Sequence, residues 1–234
     1  MSAIANLAAQ DWTAAAASLD RQGWALLPKL LDASATARLR GLYEKEIFRS
    51  HVIMARHGFG RGEYKYFSYP LPEPVAALRP LLYERLAPIA NRWAQMKNEE
   101  TRYPARHAEF LDRCHQAGQT RPTPLLLKYG AGDYNCLHQD LYGEHVFPLQ
   151  VAVLLSRPGE DFTGGEFVMT EQRPRMQSRA SVVPLTQGDA VAFAVHRRPV
   201  QGSRGTYTVN HRHGVSALGA GARYTVGIIF HDAA

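Results

Sequence analysis

Residues 125–140 read LLLKYGAGDYNCLHQD, and the punctuation of this stretch decides the fold. An apolar run, Leu125–Tyr129, stops at Gly130-Ala-Gly132, and a second run then leads into His138-Gln139-Asp140. Runs of this length bounded by glycine turns read as strands. The same texture continues through Pro148–Leu155, Gly165–Thr170, Ser181–Pro184, Ala190–Val195 and Tyr224–Phe230. Turn signals at Arg157-Pro-Gly159, Gly164-Gly165, Gly188-Asp189 and Gly219-Ala-Gly221 separate them. With the segments around His138 and His213 this makes about eight strands, the number of a jelly-roll, double-stranded β-helix barrel.

Upstream the texture is helical. Ile4 to Leu19 is Ala-rich with a helical period, and Gly23–Pro28 is a short apolar run expected as a strand. Ser34 or Asp32 can cap a helix through Phe48 whose buried stripe is Leu39, Leu42, Tyr43 and Ile47. Arg56 to Pro72, rich in Gly, Tyr and Phe, reads as a loop. Helices are expected over about Val75–Met96, broken or kinked near Pro80 and Pro88, and over about Ala105–Gln116. The fold class is therefore mainly β with added helices. Residues 1–120 form a helical region packed on one sheet, and residues 121–234 the jelly-roll core of the same compact unit.

His138 and Asp140 lie two residues apart, so in a strand both side chains point to one face. Two imidazoles and one carboxylate suit iron(II) and leave positions open for other ligands. A similar spacing, His107-Ala-Glu109, falls in a helical pattern, where residues two apart diverge, and reads as a solvated helix face. For the third ligand, His213 and His211 compete, because alternation places both on one face. The following Gly214-Val215 and the ten-residue reach to Arg223 favour His213.

Arg223 stands in the apolar strand Arg223-Tyr-Thr-Val-Gly-Ile-Ile-Phe230. A buried guanidinium requires a partner. A carboxylate ligand gripped by the planar fork would serve, as would a buried pair with Glu166. Thr225 shares the face of Arg223 and can add a hydroxyl.

Taken in order, His138-x-Asp140, Gly164-Gly-Glu-Phe167, Gly188-Asp-Ala-Val-Ala-Phe193, His213-x-Val215 and Gly221-x-Arg223-x-Thr225 resemble the 2-oxoglutarate/iron(II) oxygenase superfamily from about Leu125 to Phe230. Within it, His138-Gln-Asp-Leu-Tyr-Gly-Glu-His-Val-Phe147 and Arg212-His-Gly-Val215 resemble a bacterial group described as acting on damaged nucleic acid by oxidative demethylation. The resemblance implies an iron(II) centre at His138, Asp140 and His213, with 2-oxoglutarate on Arg223 and dioxygen as co-substrate. It further implies a role for Tyr129 on the co-substrate carboxylate, with Gln150 a weaker candidate. A later tyrosine of prolyl-hydroxylase-like members aligns with Leu154. His145, His196 and His231 read as surface or supporting residues.

Two cysteines, Cys114 and Cys136, are too few for a disulfide framework and are expected free and buried. The N-terminal residues lack the pattern of a signal peptide, and no 18-residue apolar run occurs, so a cytoplasmic protein away from membranes is expected. Net charge is +6. From Arg173 to Arg212, Arg173, Arg175, Arg179, Arg197, Arg198, Arg204 and Arg212 face a single acid, Asp189, with loops at Pro174–Arg179 and His196–Asn210. Arginine suits phosphate or carboxylate partners, so nucleic acid is one expected substrate, and Tyr64, Tyr66 and Phe67 could stack a flipped base. Hydroxylation of an amino-acid side chain or small metabolite is a second reading. A catalytically silent jelly-roll binding module is a third, which the complete His/Asp/His/Arg set opposes.

Overall fold

The computed structural model describes residues 2–203 and 205–234. Arg204, one of the seven arginines above, lies outside the described residues. The elements in chain order are α1 (Ala3–Ala8), α2 (Trp12–Gln22), β1 (Trp24–Leu27), α3 (Ala33–Gly41), β2 (Phe48–Ile53), β3 (Gly60–Arg61), β4 (Glu63–Phe67), α4 (Val75–Met96) and α5 (His107–Gln116). Then follow β5 (Leu125–Tyr129), β6 (Tyr134–His138), β7 (Leu149–Leu154), β8 (Phe162–Gly164), β9 (Phe167–Gln172), β10 (Arg179–Val183) and β11 (Ala190–Ala194). The chain finishes with β12 (Arg197–Gly202), β13 (Gly205–Val215), β14 (Leu218–Gly221) and β15 (Arg223–Ile228).

Two sheets form the barrel. The larger has the order β1-β11-β7-β15-β5-β4-β2, and the smaller runs β10-β9-β13-β6-β3 with β12 paired to β13. After β5 the chain passes back and forth between them, which is the jelly-roll path.

The central strands β7 and β11 of the larger sheet are buried on both faces, and this explains their unbroken apolar runs. On β7, Val151 and Val153 join the core shared with the helices, while Ala152 and Leu154 face the barrel interior. On β11, Ala190, Ala192 and Ala194 go to the helices, and Val191 and Phe193 to the barrel. Alternation then carries Gln150, Arg223 and Thr225 to the interior, where they line one cavity.

Several expectations for the first half need correction. The Ala-rich stretch is two helices, because the Asp11 side chain accepts from Ala14 N at 2.9 Å and starts a new one. Asp32 rather than Ser34 caps α3, accepting from Ala35 N at 2.8 Å. That helix ends at Gly41, and Phe48 begins a strand, so Leu39 and Tyr43 are buried but Leu42 and Ile47 only partly. The Gly- and aromatic-rich stretch is no loop: β2 and β4 form an antiparallel hairpin that extends the larger sheet through β4–β5 pairing. α4 runs as one helix through Pro80 and Pro88, its face of Leu78, Leu82, Tyr83, Leu86, Ile89 and Trp93 held in the core. The region 196–210 is likewise mostly the β12–β13 hairpin. Cys114 is buried as expected, whereas Cys136 is exposed.

No helix among the described residues is long and apolar enough to cross a membrane.

Candidate metal centre and co-substrate pocket

His138 ends β6 and His213 lies opposite it on β13, so the two rings meet across the strand pair with centroids 4.2 Å apart. Asp140 follows two residues after His138. Its carboxylate receives both imidazoles, His138 Nε2 at 3.4 Å from Oδ1 and His213 Nε2 at 3.4 Å from Oδ2. Donors bound to an octahedral ion about 2.1 Å away stand about 3 Å apart, so this spacing is that of a metal-ligand face. One ligand atom from each of the three lies within 4.8 Å of the others, and no other such His/Cys/Asp/Glu group is found among the described residues.

The strand pairing supplies this proximity. The register shifts between His213 and Val215. Gly214, between them, packs against β6 so closely that a Cβ there would stand 2.6 Å from Asn135 O.

Supporting contacts fix each ligand. His138 Nδ1 lies 2.8 Å from Cys136 O, so the Nδ1–H tautomer donates there and leaves the Nε2 lone pair facing Asp140. Tyr142 Oη donates to Asp140 Oδ1 at 2.8 Å, and Gln150 Nε2 donates to Oδ2 at 2.9 Å. Phe193 and Phe167 wall His213, with ring centroids at 4.7 and 6.0 Å. Burial alone would raise the Asp140 carboxyl, but hydrogen bonds and charge from His138 and His213 hold it well below the usual carboxylate range. Burial also disfavours the His138 cation, yet Asp140 outweighs it and raises that pKa. His213 is lowered by burial and by its neighbour His138.

Arg223 lies in the same cavity, of about 350 Å³. It is 2% exposed, donates from Nη1 to Thr225 Oγ1 at 2.6 Å, and leaves Nε without a partner. Glu166 does not pair with it: that carboxylate accepts from Ser216 Oγ at the exposed edge. Burial lowers the guanidinium to about 10, against the weak opposing influence of Tyr129 and Glu166. A buried cation without a carboxylate fits an acidic ligand that enters the cavity. Tyr129 stands opposite Arg223 on β5 and faces the same cavity, with its Oη 3.4 Å from Asn135 Nδ2.

His211 sits elsewhere. It is buried, and its Nε2 accepts from Arg198 Nε at 3.2 Å in a separate cluster. Arg198 Nη2 also meets Glu171 Oε2 at 2.5 Å, and Arg173 and Arg179 reach the same carboxylate at 3.1 and 3.6 Å. Glu171 thus holds three arginines that the sequence offers to an anionic partner, while Arg175, Arg197 and Arg212 are exposed.

One further histidine departs from expectation. His107 is not on a solvated face; it is buried and bonds Phe230 O at 2.7 Å through Nε2. His231 is fully buried and accepts from Phe147 N at 3.2 Å. Tyr142 is the supporting residue that sequence reasoning missed. Its place two residues after Asp140 was the available signal, but a loop position predicts no direction.

A family model named Oxygenase-NA, described as an oxygenase catalysing oxidative methylation of damaged DNA, matches residues 62–233. Two Mycobacterium tuberculosis proteins, Uncharacterized protein MT2286 and Uncharacterized protein Rv2227, are each 50% identical over 168 residues, covering 72% of this chain and 72% of theirs. Among solved structures, a Pseudomonas putida prolyl-4-hydroxylase is similar with TM-score 0.55 at 14% identity, over 93% of this chain and 97% of that one. A Burkholderia pseudomallei oxidoreductase of the 2OG-Fe(II) oxygenase family gives TM-score 0.55 at 18% identity, over 97% and 94% of the two chains. These two share the fold. With the family match spanning most of the chain, and a His-x-Asp…His cluster in the barrel, the chain belongs to the Oxygenase-NA family of oxygenases.

Proposed function

We propose that this oxygenase holds iron(II) with His138, Asp140 and His213, seats 2-oxoglutarate on Arg223 with help from Thr225 and Tyr129, and oxidises a methylated base in nucleic acid. One observation carries the reading: a buried guanidinium without a carboxylate partner shares a cavity with two imidazoles and a carboxylate that converge. When bound, iron and 2-oxoglutarate supply, with dioxygen, the chemistry that places an oxygen atom in a substrate C–H bond. The chain's own residues do the rest. Tyr142 and Gln150 orient Asp140, and Cys136 O sets the His138 tautomer. Leu127, Phe167 and Phe193 line the cavity and limit water.

The substrate class is supported by the family description, which names damaged DNA. The described reaction is oxidative methylation; oxygen insertion into a methyl C–H bond, the chemistry proposed above, works toward removal of the methyl group. An N-methyl carbon, once hydroxylated, is lost as formaldehyde; a C-methyl carbon is kept as an alcohol.

Succinate release measured across methylated oligonucleotides, peptides and amino acids tests the proposal. Turnover should couple to an oligonucleotide, and formaldehyde should accompany it for an N-methyl lesion. Coupling to a peptide or amino acid, with no oligonucleotide active, would overturn the nucleic-acid reading.

A further inference from the structure

Eight large apolar side chains stand exposed among the described residues: Ile4, Phe59, Tyr69, Tyr134, Leu137, Leu141, Met176 and Val182. Single ones need no explanation. Here four of them, Phe59, Tyr134, Leu137 and Leu141, fall on two adjoining segments, residues 56–61 and the iron-ligand strand β6 with the residues that follow it, and such a grouping marks a contact surface. Phe59 and Leu137, 48% and 47% exposed, also line the cavity that holds His138 and Asp140.

The backbone beneath Phe59 is fixed although its ring is exposed. Phe59 N donates to Met54 O at 3.2 Å, and Phe59 O accepts from Cys136 N at 2.9 Å. The next residues pair with β6, Gly60 opposite Asn135 and Arg61 opposite Tyr134. Gly58 and Gly60 both take positive φ, 71° and 127°, which lets the chain turn sharply on each side of the ring. His57 stacks on Phe59 with centroids 5.3 Å apart and planes at 22°.

Basic residues flank this platform in Arg56-His-Gly-Phe-Gly-Arg61, and both arginines are exposed. The acid that follows, Glu63, is already engaged by His51 at 2.7 Å and by Lys128 at 3.6 Å. Arg56 and Arg61 therefore differ from Arg173, Arg179 and Arg198, which Glu171 holds. Unengaged arginines beside an exposed stacked ring form the combination that grips single-stranded nucleic acid, cations on phosphates and an aromatic face on a base.

We infer that residues 56–61 are the strand-binding edge of the active site. Phe59, backed by His57, stacks a base next to the one entering the cavity, and Arg56 and Arg61 hold the flanking phosphates. This rests on the nucleic-acid reading above.

Fluorescence anisotropy with a labelled single-stranded DNA bearing one N-methylated base tests the inference. Phe59→Ala should weaken binding about tenfold or more, and Phe59→Trp should restore it. The double change Arg56→Gln with Arg61→Gln should flatten the slope of log affinity against log salt by roughly two phosphate contacts. A poly-glutamate peptide of matched charge should compete poorly; equal competition would reduce the segment to a general anion surface and overturn the stacking role. If wild type binds the DNA and these variants bind as tightly, with unchanged salt slope, the inference fails while the nucleic-acid reading stands. If wild type binds no oligonucleotide even at low salt, the reading itself fails.

Discussion

His138 and His213 are cross-strand partners whose Nε2 atoms each stand 3.4 Å from a different oxygen of Asp140. Two residues on neighbouring strands and one from the segment just after β6 thus meet at one point. Asp140→Ala should leave two histidines that cannot complete a three-ligand face. Iron(II) binding, followed by titration of the metal-free protein, should be lost, and succinate formation with it; normal turnover would overturn the metal assignment.

Arg223 is expected to act on the co-substrate alone. Arg223→Leu should raise the KM for 2-oxoglutarate at least about tenfold, since hydrogen bonds to charged groups contribute about 1.5–3 kcal/mol. Stability should respond in the opposite sense. Removing a buried cation that no carboxylate pairs relieves its desolvation, so the melting temperature without 2-oxoglutarate should hold or rise. A variant with a wild-type KM would show that the carboxylate docks elsewhere.

Tyr142 and Gln150 touch Asp140 and stand outside the set of residues that would hold the metal. Tyr142→Phe removes one hydrogen bond and keeps the ring, so iron affinity should fall about 10- to 100-fold, as it does when such supporting partners are lost. The KM for 2-oxoglutarate should move little. A change confined to that KM, with iron affinity intact, would argue against the orienting role.

Acid should destabilise the fold through its buried histidines. Burial holds His107 and His231 down at about 4, below the ordinary 6.5. Between those values the unfolded chain binds protons that the folded chain refuses, so stability is full above pH 6.5 and declines as pH falls toward 4. At about 1.4 kcal/mol per unit the loss is at most about 3.5 kcal/mol for each histidine. Urea midpoints measured from pH 7 to pH 4.5 should show this, and His107→Gln should flatten the slope; an unchanged slope would remove His107 from the account.

Much of the barrel and the metal cluster was legible because both rest on local rules. Strand alternation and glycine turns place β5 with its observed limits, and alternation aims Arg223 and Thr225 inward. Features set by distant partners were not legible. Glu171 gathers arginines 2 to 27 residues away in sequence, and no spacing rule foretells it. His211 and His213 share a face, so alternation alone does not separate them; the pairing of His213 with His138 and the contact of His211 with Arg198 do. The β2–β4 hairpin was hidden by glycines and tyrosines that resemble a loop until β5 is there to pair with.

Gly214 has a mechanical consequence. Because it brings β13 against β6 where the two histidines meet, an ion held between them acts as a rivet across the seam of the smaller sheet. Binding the metal and keeping the seam shut become linked equilibria. Without the ion, the amides flanking His138 and His213 are where the barrel should breathe first; with it, the seam should be among the last places to open.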